Sequence, residues 1–402
     1  MSAIVVDYTT LGRSEQLLDR QAQHLRAVEP YLRSHGDIRD STGALLALLV
    51  PLSMATVELG AQVARGAARV AELTADHVRA TSTTYAEADQ AACANLDDLA
   101  TGLGSAPAPW QDPRGGVPPL GAAQESAPSD HGDADSWLGS KAQGVGTSVR
   151  DAVADARGIG EDVSRWGSPG QVVEVVDASS YLVVPQATDN PVQDLRWNAG
   201  VLLGSIDWVA EKLLGISVLA ECVFKPLGGD WRAIKCSAAA WGFAGEAYAA
   251  TGRNCAGLVA STTAGWQGAA GDAFRVTMAA YAAACAGLQA ACDHVSGLVS
   301  NIALVSSLAC SGIGLGLRTI AEVLTQLAAE ASVPVVGWAV GAATIWWKIE
   351  KVVGIVRMIY NILEGLADAI ASFVDAKTSV LDAIDLVEDL VSGLAARTPV
   401  AA

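Results

Sequence analysis

The sequence contains few basic residues, few aromatic residues and few charged residues overall. Only 26 lysines and arginines stand against 43 acidic residues, so the 402-residue chain has a net charge of −17 at pH 7. A phosphate backbone repels a chain of this charge, which excludes nucleic acid as a partner. Charged residues make up 17% of the chain and aromatic residues 5%, whereas apolar residues make up 51%. That apolar share is large enough to build a buried core, and it excludes wholesale disorder.

The sequence also lacks the motifs of metal binding and of common enzymes. Its seven cysteines include no Cys-x-x-Cys pair and its five histidines are scattered, so we predict no zinc site and no other metal site. There is no Gly-x-Ser-x-Gly, His-Glu-x-x-His or Gly-Lys-Ser/Thr motif. We therefore expect no enzymatic activity and no cofactor. The first residues have neither a basic stretch nor a long apolar run, so we predict no standard secretory signal peptide.

Prolines divide the chain, because nine of the 14 lie between Pro107 and Pro191 while the sequence on either side has helical periodicity. Residues 1–104 are predicted to form a helical hairpin. Its first helix has an apolar stripe that repeats every seven residues. The stripe consists of Leu11, Leu18, Leu25 and Leu32. The polar stretch Ser34–Ser41 predicts the turn, and Pro51 is expected to kink or restart the second helix.

Residues 105–190 are rich in Pro, Gly and Ser. Such a composition buries too little apolar surface to offset the entropy of the chain, so this region is predicted to be a largely flexible linker. Val172–Val184 is its only strand-like stretch. Because no partner strands are evident, we expect this stretch to be extended chain lying on a helix bundle.

Residues 191–302 are predicted to form a second helical hairpin with a preceding helix. Asp230 is expected to cap the first helix of the hairpin. Apolar residues follow at alternating steps of three and four on both sides of a break at Gly265–Gly268, which is the pattern of two helices joined by a tight turn. Residues 303–402 are predicted to form apolar and amphipathic helices. The expected fold class is all-α, with two hairpins packed as a bundle, a flexible linker and an apolar C-terminal helical bundle.

Two short motifs are notable for their position in this helical pattern. Trp266-Gln-Gly268 lies in the break of the second hairpin, where glycine allows a positive φ and the indole can cover the end of the helix seam. Tyr85-Ala-Glu-Ala-Asp89 lies near the end of the first hairpin, where residues four apart share one helix face. The Trp266-Gln-Gly268 tripeptide is also compatible with a helix-hairpin turn that has no recognition role. A second Tyr-x-x-x-Glu motif, Tyr360–Glu364, fits ordinary helix surface.

The sequence around Asp230-Trp-Arg-Ala-Ile234 and Trp266-Gln-Gly-Ala-Ala-Gly-Asp-Ala-Phe274 resembles the WXG family of type VII (ESX) secretion substrates. The similarity is to the variant that heads actinobacterial exported toxins. Residues 1–100 resemble the EspC-like or PE-like substrates of the same system. The resemblance implies a non-enzymatic protein with a bipartite secretion signal. Carried over to this chain, that signal consists of Tyr85, Asp89, Trp266 and Gly268.

The resemblance also implies partners and a location. The expected partner is an ESX secretion ATPase or a chaperone, and a WXG-type protein or a second copy of the chain are further candidates. The protein would be cytoplasmic before export and secreted or at the cell surface afterwards. Because a bipartite signal read by one receptor must form one surface, we expect the two hairpins to pack side by side as a four-helix arrangement.

An alternative function follows from two uncharged stretches, Val295–Leu317 and Ala331–Trp347, of 23 and 17 residues. Each contains a Gly-x-x-x-Gly motif, which allows helices to cross closely in membranes. The glycines concerned are Gly312, Gly316, Gly337 and Gly341. Residues 295–347 could thus insert as a membrane-active channel or pore module. They could equally be helices buried in a soluble bundle, covered by the amphipathic helix that begins at Lys348.

Overall fold

A computed structural model describes residues 4–103, 105–106, 109–141, 151–153, 168–187, 227, 229–331 and 340–396. The described residues are predominantly helical, which confirms the all-α class. The helices are α1 (Tyr8–His35), α2 (Val50–Gly102), α3 (Ala134–Lys141), α4 (Trp231–Gly265), α5 (Ala269–Ala331) and α6 (Val340–Ala395). Two short strands, β1 (Val5–Val6) and β2 (Trp266–Gln267), form an antiparallel pair. Single 3₁₀ turns lie at Arg39–Ser41, Ala44–Leu49, Pro113–Gly116 and Ala178–Tyr181.

The first hairpin forms as predicted. The Asp7 carboxylate caps α1 by accepting hydrogen bonds from the backbone N–H groups of Thr9 and Thr10 at 3.0 and 3.2 Å. The four leucines of the predicted stripe are fully buried. Pro51 lies in the first turn of α2, where a missing N–H costs nothing, so it starts the helix after the 3₁₀ turn instead of kinking it.

The second hairpin also forms, and Asp230 caps α4 as expected. The helix breaks at β2 and resumes at Ala269. Helix α5 then runs without interruption to Ala331, so it passes through the boundary between residues 302 and 303 that the sequence suggested. The first part of the C-terminal region, up to Ala331, is therefore continuous with the second hairpin.

Five long helices pack in a closed ring. Helix α1 contacts α2 and α4, α4 contacts α5, α5 contacts α6, and α6 contacts α2. The Tyr281 hydroxyl on α5 donates to the Ala67 carbonyl on α2 at 2.6 Å, which ties the two hairpins together across the ring. The Trp241 indole on α4 donates to the Gly36 carbonyl at the end of α1 at 3.1 Å. The expected side-by-side packing of the hairpins is confirmed, with α6 as a fifth member.

The expectation of a flexible linker is wrong for residues 109–141 and 168–187, which pack against α1 and α4. Val176 is fully buried, and Glu174 is only 2% exposed. The Asn254 side chain on α4 accepts from the backbone N–H groups of residues 175 and 176 at 2.9 and 3.0 Å. The average composition of the segment does not predict this contact, because a few buried valines and the hydrogen bonds of one polar side chain are enough to fix the chain on the bundle. Val172–Val184 lies on the helix bundle, as expected. It contains a 3₁₀ turn, and its backbone is extended at Asp177 but not at Leu182.

The amphipathic C-terminal helix covers part of the apolar helix α5, as expected. The described residues of α6 that are buried include Ala376, Val380, Ala383, Val387 and Leu394. Gly312 is buried within α5, whereas a Cβ added to Gly316 would meet no atom within 4 Å. Gly337 and the rest of residues 332–339 lie outside the described residues, and Gly341 lies in the first turn of α6.

Two helical segments are long and apolar enough to cross a membrane by length and composition. They are Ala44–Gly102 and Ala269–Thr319, and the second overlaps the predicted stretch Val295–Leu317. In their most apolar windows, 39% and 56% of the residues are buried inside the bundle. The core helix of a soluble protein passes the same test, so this finding is weak support for a membrane role.

Candidate functional site

The Trp-x-Gly motif forms the connection between α4 and α5. Trp266 and Gln267 are extended, and Gly268 follows with a φ of +112°, which L side chains rarely adopt. A Cβ on Gly271 would lie 2.4 Å from the Trp266 carbonyl oxygen, so the first turn of α5 can approach the strand only because this residue is also glycine. The Arg275 guanidinium donates to the same carbonyl at 2.8 Å. The motif thus builds a tight turn closed by α5.

The Trp266 side chain faces inward. It is 2% exposed, and its ring lies 5.0 Å from the ring of Phe274 at an angle of 34°. Its indole N–H is buried and has no hydrogen-bond partner among the described residues. A buried donor without a partner costs roughly 1–3 kcal/mol, so this position is held by ring packing and gains nothing from the indole nitrogen.

The N-terminal strand covers this turn. Val5 pairs with Gln267 and Val6 with Trp266, and the Asp7 N–H donates to the Gly265 carbonyl at 2.6 Å. The pairing therefore extends over three residues on each side. Thr10 follows closely, since a Cβ on Gly265 would lie 2.3 Å from its hydroxyl oxygen. The end of α4 and the start of α1 are consequently in direct contact.

The Tyr-x-x-x-Asp motif lies on the exposed C-terminal part of α2. Tyr85 is half-buried against the core, and Asp89 is exposed. The Asp89 carboxylate accepts a hydrogen bond from the hydroxyl of Tyr8, the first residue of α1, at 2.7 Å. Past Asp89 the helix is largely solvent-exposed and carries exposed leucines. These are Leu96 at 65%, Leu99 at 62% and Leu103 at 78% exposure.

The Tyr8–Asp89 pair is electrostatically distinct. Burial and the hydrogen bond to Asp89 raise the pKa of the Tyr8 phenol well above its ordinary value, while the nearby guanidinium of Arg114 opposes the shift. Arg114 is held by Asp112 at 2.7 Å and by the Thr83 hydroxyl at 2.8 Å. The phenol therefore stays protonated and remains a donor to Asp89 at physiological pH.

Residues 4–8 join the two motifs that the sequence singled out. Tyr8 is two residues from Val6, and two residues of extended chain span at most about 7 Å. Trp266, which pairs with Val6, and Asp89, which binds Tyr8, are therefore at the same end of the bundle. No local sequence pattern pairs Tyr8 with Asp89. The β-branched run Ile4-Val5-Val6 directly before an Asp cap was the available signal for a short strand.

The other Trp-x-Gly, at residues 137–139, is a structural element. Trp137 on α3 packs against α4 where Gly242 leaves room, because a Cβ there would lie 1.8 Å from the indole ring. Its indole N–H donates to Glu246 at 2.9 Å. Within the described part of the chain, no group of three or more His, Cys, Asp or Glu side chains could hold a metal ion.

Comparison of the chain with protein-family models, with curated proteins and with solved structures finds no match in any of the three.

Proposed function

We propose that this protein is a non-enzymatic substrate of an actinobacterial type VII (ESX) secretion system. Its signal would be a composite surface formed by the Trp266–Gly268 turn and by Tyr85 and Asp89. The observation that carries this proposal is the segment of residues 4–8, which contacts the turn through β1 and Asp89 through Tyr8. Two motifs that are far apart in sequence thereby become neighbours that one receptor could contact.

The accessible part of this surface is the projecting end of α2. The Asp89 carboxylate is exposed, and the helix beyond it presents leucines to solvent. A helix with one apolar edge is a common element of groove recognition, in which residues three, four and seven apart serve as anchors. Leu96, Leu99 and Leu103 have this spacing. We propose that a secretion ATPase or chaperone of this system binds here.

The ring of five helices supports export as a folded single chain. A helical hairpin with an exposed apolar face needs a partner, and here α1 and α2 supply that partner to α4 and α5. We infer that no separate WXG-type protein is needed to cover the second hairpin. The protein would be cytoplasmic before export and secreted or at the cell surface afterwards.

The test is export from an ESX-competent host. Asp89→Ala should lower the secreted fraction to the level of a host without the system, because it removes an exposed carboxylate without opening the core. Glu364→Ala is the matched control, since it alters the exposed acid of the second Tyr-x-x-x-Glu motif on another helix. Equal secretion of the Asp89 variant and the wild type would contradict the proposed signal.

A second candidate function, a membrane-active channel, has one specific observation in its favour. Leu304, Leu308 and Leu315 are 59%, 53% and 41% exposed along one edge of α5, inside the segment long enough to span a bilayer. If this edge enters lipid, Leu308→Glu should abolish flotation with anionic liposomes, because a charge within a span is costly. Leu381→Glu on α6 is the control at a similarly exposed leucine. An absence of wild-type flotation at pH 5 and pH 7 would exclude this function.

A further inference from the structure

Both halves of the proposed signal are occupied by the same short segment of the chain. The strand edge of Trp266 and Gln267 is paired with Val5 and Val6, and the Asp89 carboxylate is bonded to Tyr8. A receptor that contacts the turn backbone and the carboxylate together would compete with residues 4–8 for the same groups. Residues 4–8 therefore block the binding of a receptor to the proposed signal.

We propose that residues 4–8 are an intramolecular latch, and that an extended strand supplied by a partner replaces it on Gln267 and Asp89. The latch itself shows the chemistry of the site. It consists of two β-branched residues in antiparallel pairing, followed by a hydroxyl donor positioned for a carboxylate. Addition of a strand to an exposed edge is a general mode of peptide recognition, in which backbone hydrogen bonds supply affinity and side chains supply specificity.

In the latch, Val6 is half-buried against the core, and the remaining residues have few buried contacts. A two-stranded pair of this length is marginal in water without further packing. Ile4 is 66% exposed and Val5 40% exposed, and the hydrogen bond between Tyr8 and Asp89 is at the surface. Regions with few buried contacts open at a small fraction of the free energy needed for global unfolding. Transient opening of residues 4–8 is therefore expected in the folded protein.

Opening can stop before the bundle is disturbed. Thr10 is 2% exposed and Leu11 is fully buried, so α1 is anchored from its first turn onward. Thr10 also packs directly against Gly265 at the end of α4. The movable part thus ends at Tyr8. When it lifts, α1 loses the Asp7 cap and its first residue, but the helices behind them remain packed.

Two substitutions weaken the latch from opposite ends. In an antiparallel pair of strands, hydrogen-bonded and non-hydrogen-bonded residue pairs alternate. The Asp7 N–H bonds to the Gly265 carbonyl, so Val5 and Gln267, two positions along, also form a hydrogen-bonded pair. Val5→Pro removes that donor at a half-exposed position, and Tyr8→Phe removes only the bond to Asp89. Ile4→Pro is the matched control, because Ile4 precedes the paired residues and is more exposed.

The direct test is binding of a labelled peptide with the sequence of residues 4–9, followed by fluorescence polarisation. The double variant Val5→Pro/Tyr8→Phe should bind the peptide at least about tenfold more tightly than the wild type or Ile4→Pro, because the closed state no longer lowers the apparent affinity. The same peptide with Phe in place of Tyr should bind more weakly. Equal binding to all three proteins would overturn the proposal.

Hydrogen exchange shows whether the variant still folds. In the double variant, the amides of Asp7 and Gln267 should lose protection while those of α1 beyond Leu11 keep it. Loss of protection throughout α1 would overturn the claim that the latch opens locally. If the double variant does not fold, the single variant Tyr8→Phe replaces it in the binding experiment. It should bind the peptide more tightly than the wild type, by a smaller factor than expected for the double variant.

The consequence for export rests on the proposed function, but the peptide exchange does not. If the latch regulates the signal, the double variant should be secreted at least as fast as the wild type, whereas Asp89→Ala is not secreted. Normal secretion of Asp89→Ala with tight peptide binding would refute the secretion signal and leave the latch intact. Absence of peptide binding with loss of secretion in Asp89→Ala would refute the latch alone.

Discussion

Replacement of Trp266 separates two roles that the Trp-x-Gly motif could have. The ring is buried against Phe274, so truncation to alanine leaves a cavity at the junction of α4 and α5. Substitutions of buried Phe or Trp by Ala typically cost about 3–5 kcal/mol. We therefore expect Trp266→Ala to lose about that amount of unfolding free energy.

Trp266→Phe should behave differently. It retains an aromatic ring beside Phe274, and it deletes an indole N–H that bonds to no group in the described part of the chain. Removing an unsatisfied buried donor stabilises the fold by roughly 1–3 kcal/mol. This gain offsets much of the destabilisation caused by the smaller side chain. We expect the unfolding free energy of Trp266→Phe to lie within about 1 kcal/mol of the wild-type value.

Urea unfolding followed by circular dichroism measures both variants, and export is measured on the same proteins. If the motif only builds the turn, Trp266→Phe is secreted normally. If a receptor reads the indole, Trp266→Phe is stable and retained in the cell. A Trp266→Ala variant as stable as the wild type would refute the inference that the ring is a packing element.

Three further predictions concern the same bundle. Gly268→Ala should destabilise the protein by about 1–3 kcal/mol in urea, because its φ of +112° is strained for any side chain. In the native protein at pH 8, iodoacetamide should modify the half-buried Cys93 well before Cys255, whose thiol pKa burial raises to about 12, as measured by mass spectrometry. Burial raises the pKa of Asp293 above its ordinary 3.8, so its contribution to stability is present below that value and is lost as pH rises through the folded pKa. Asp293→Asn should therefore gain stability relative to the wild type between pH 4 and pH 7.

Elements defined by local periodicity could be predicted from the sequence. A few neighbouring residues determine each of four features: the leucine stripe of α1, the Asp230 cap, the start of α2 at Pro51 and the break at Trp266. The formation of each feature depends on residue type and on the spacing of neighbouring side chains, and both can be taken directly from the sequence. The all-α class follows from the sum of such elements.

The parts that could not be predicted depend on contacts between distant residues. Tyr8 and Asp89 are 81 positions apart, and nothing in either local sequence indicates the other. Asn254 holds residues 175 and 176 through hydrogen bonds that span 79 and 78 positions. A composition rule classifies the segment of residues 168–187 as flexible because it averages over many residues, whereas one fully bonded buried amide decides the outcome.

The shortage of large side chains in this sequence explains how the two hairpins fit together. Trp241 on α4 occupies the space that Gly60 leaves on α2, where a Cβ would lie 2.5 Å from the ring. Trp137 occupies the space above Gly242 in the same way. Each indole inserts where a glycine removes the side chain of the facing helix, so close packing is reached with few aromatic residues. At these two positions, a glycine and a tryptophan on facing elements thus form the two halves of one packing contact.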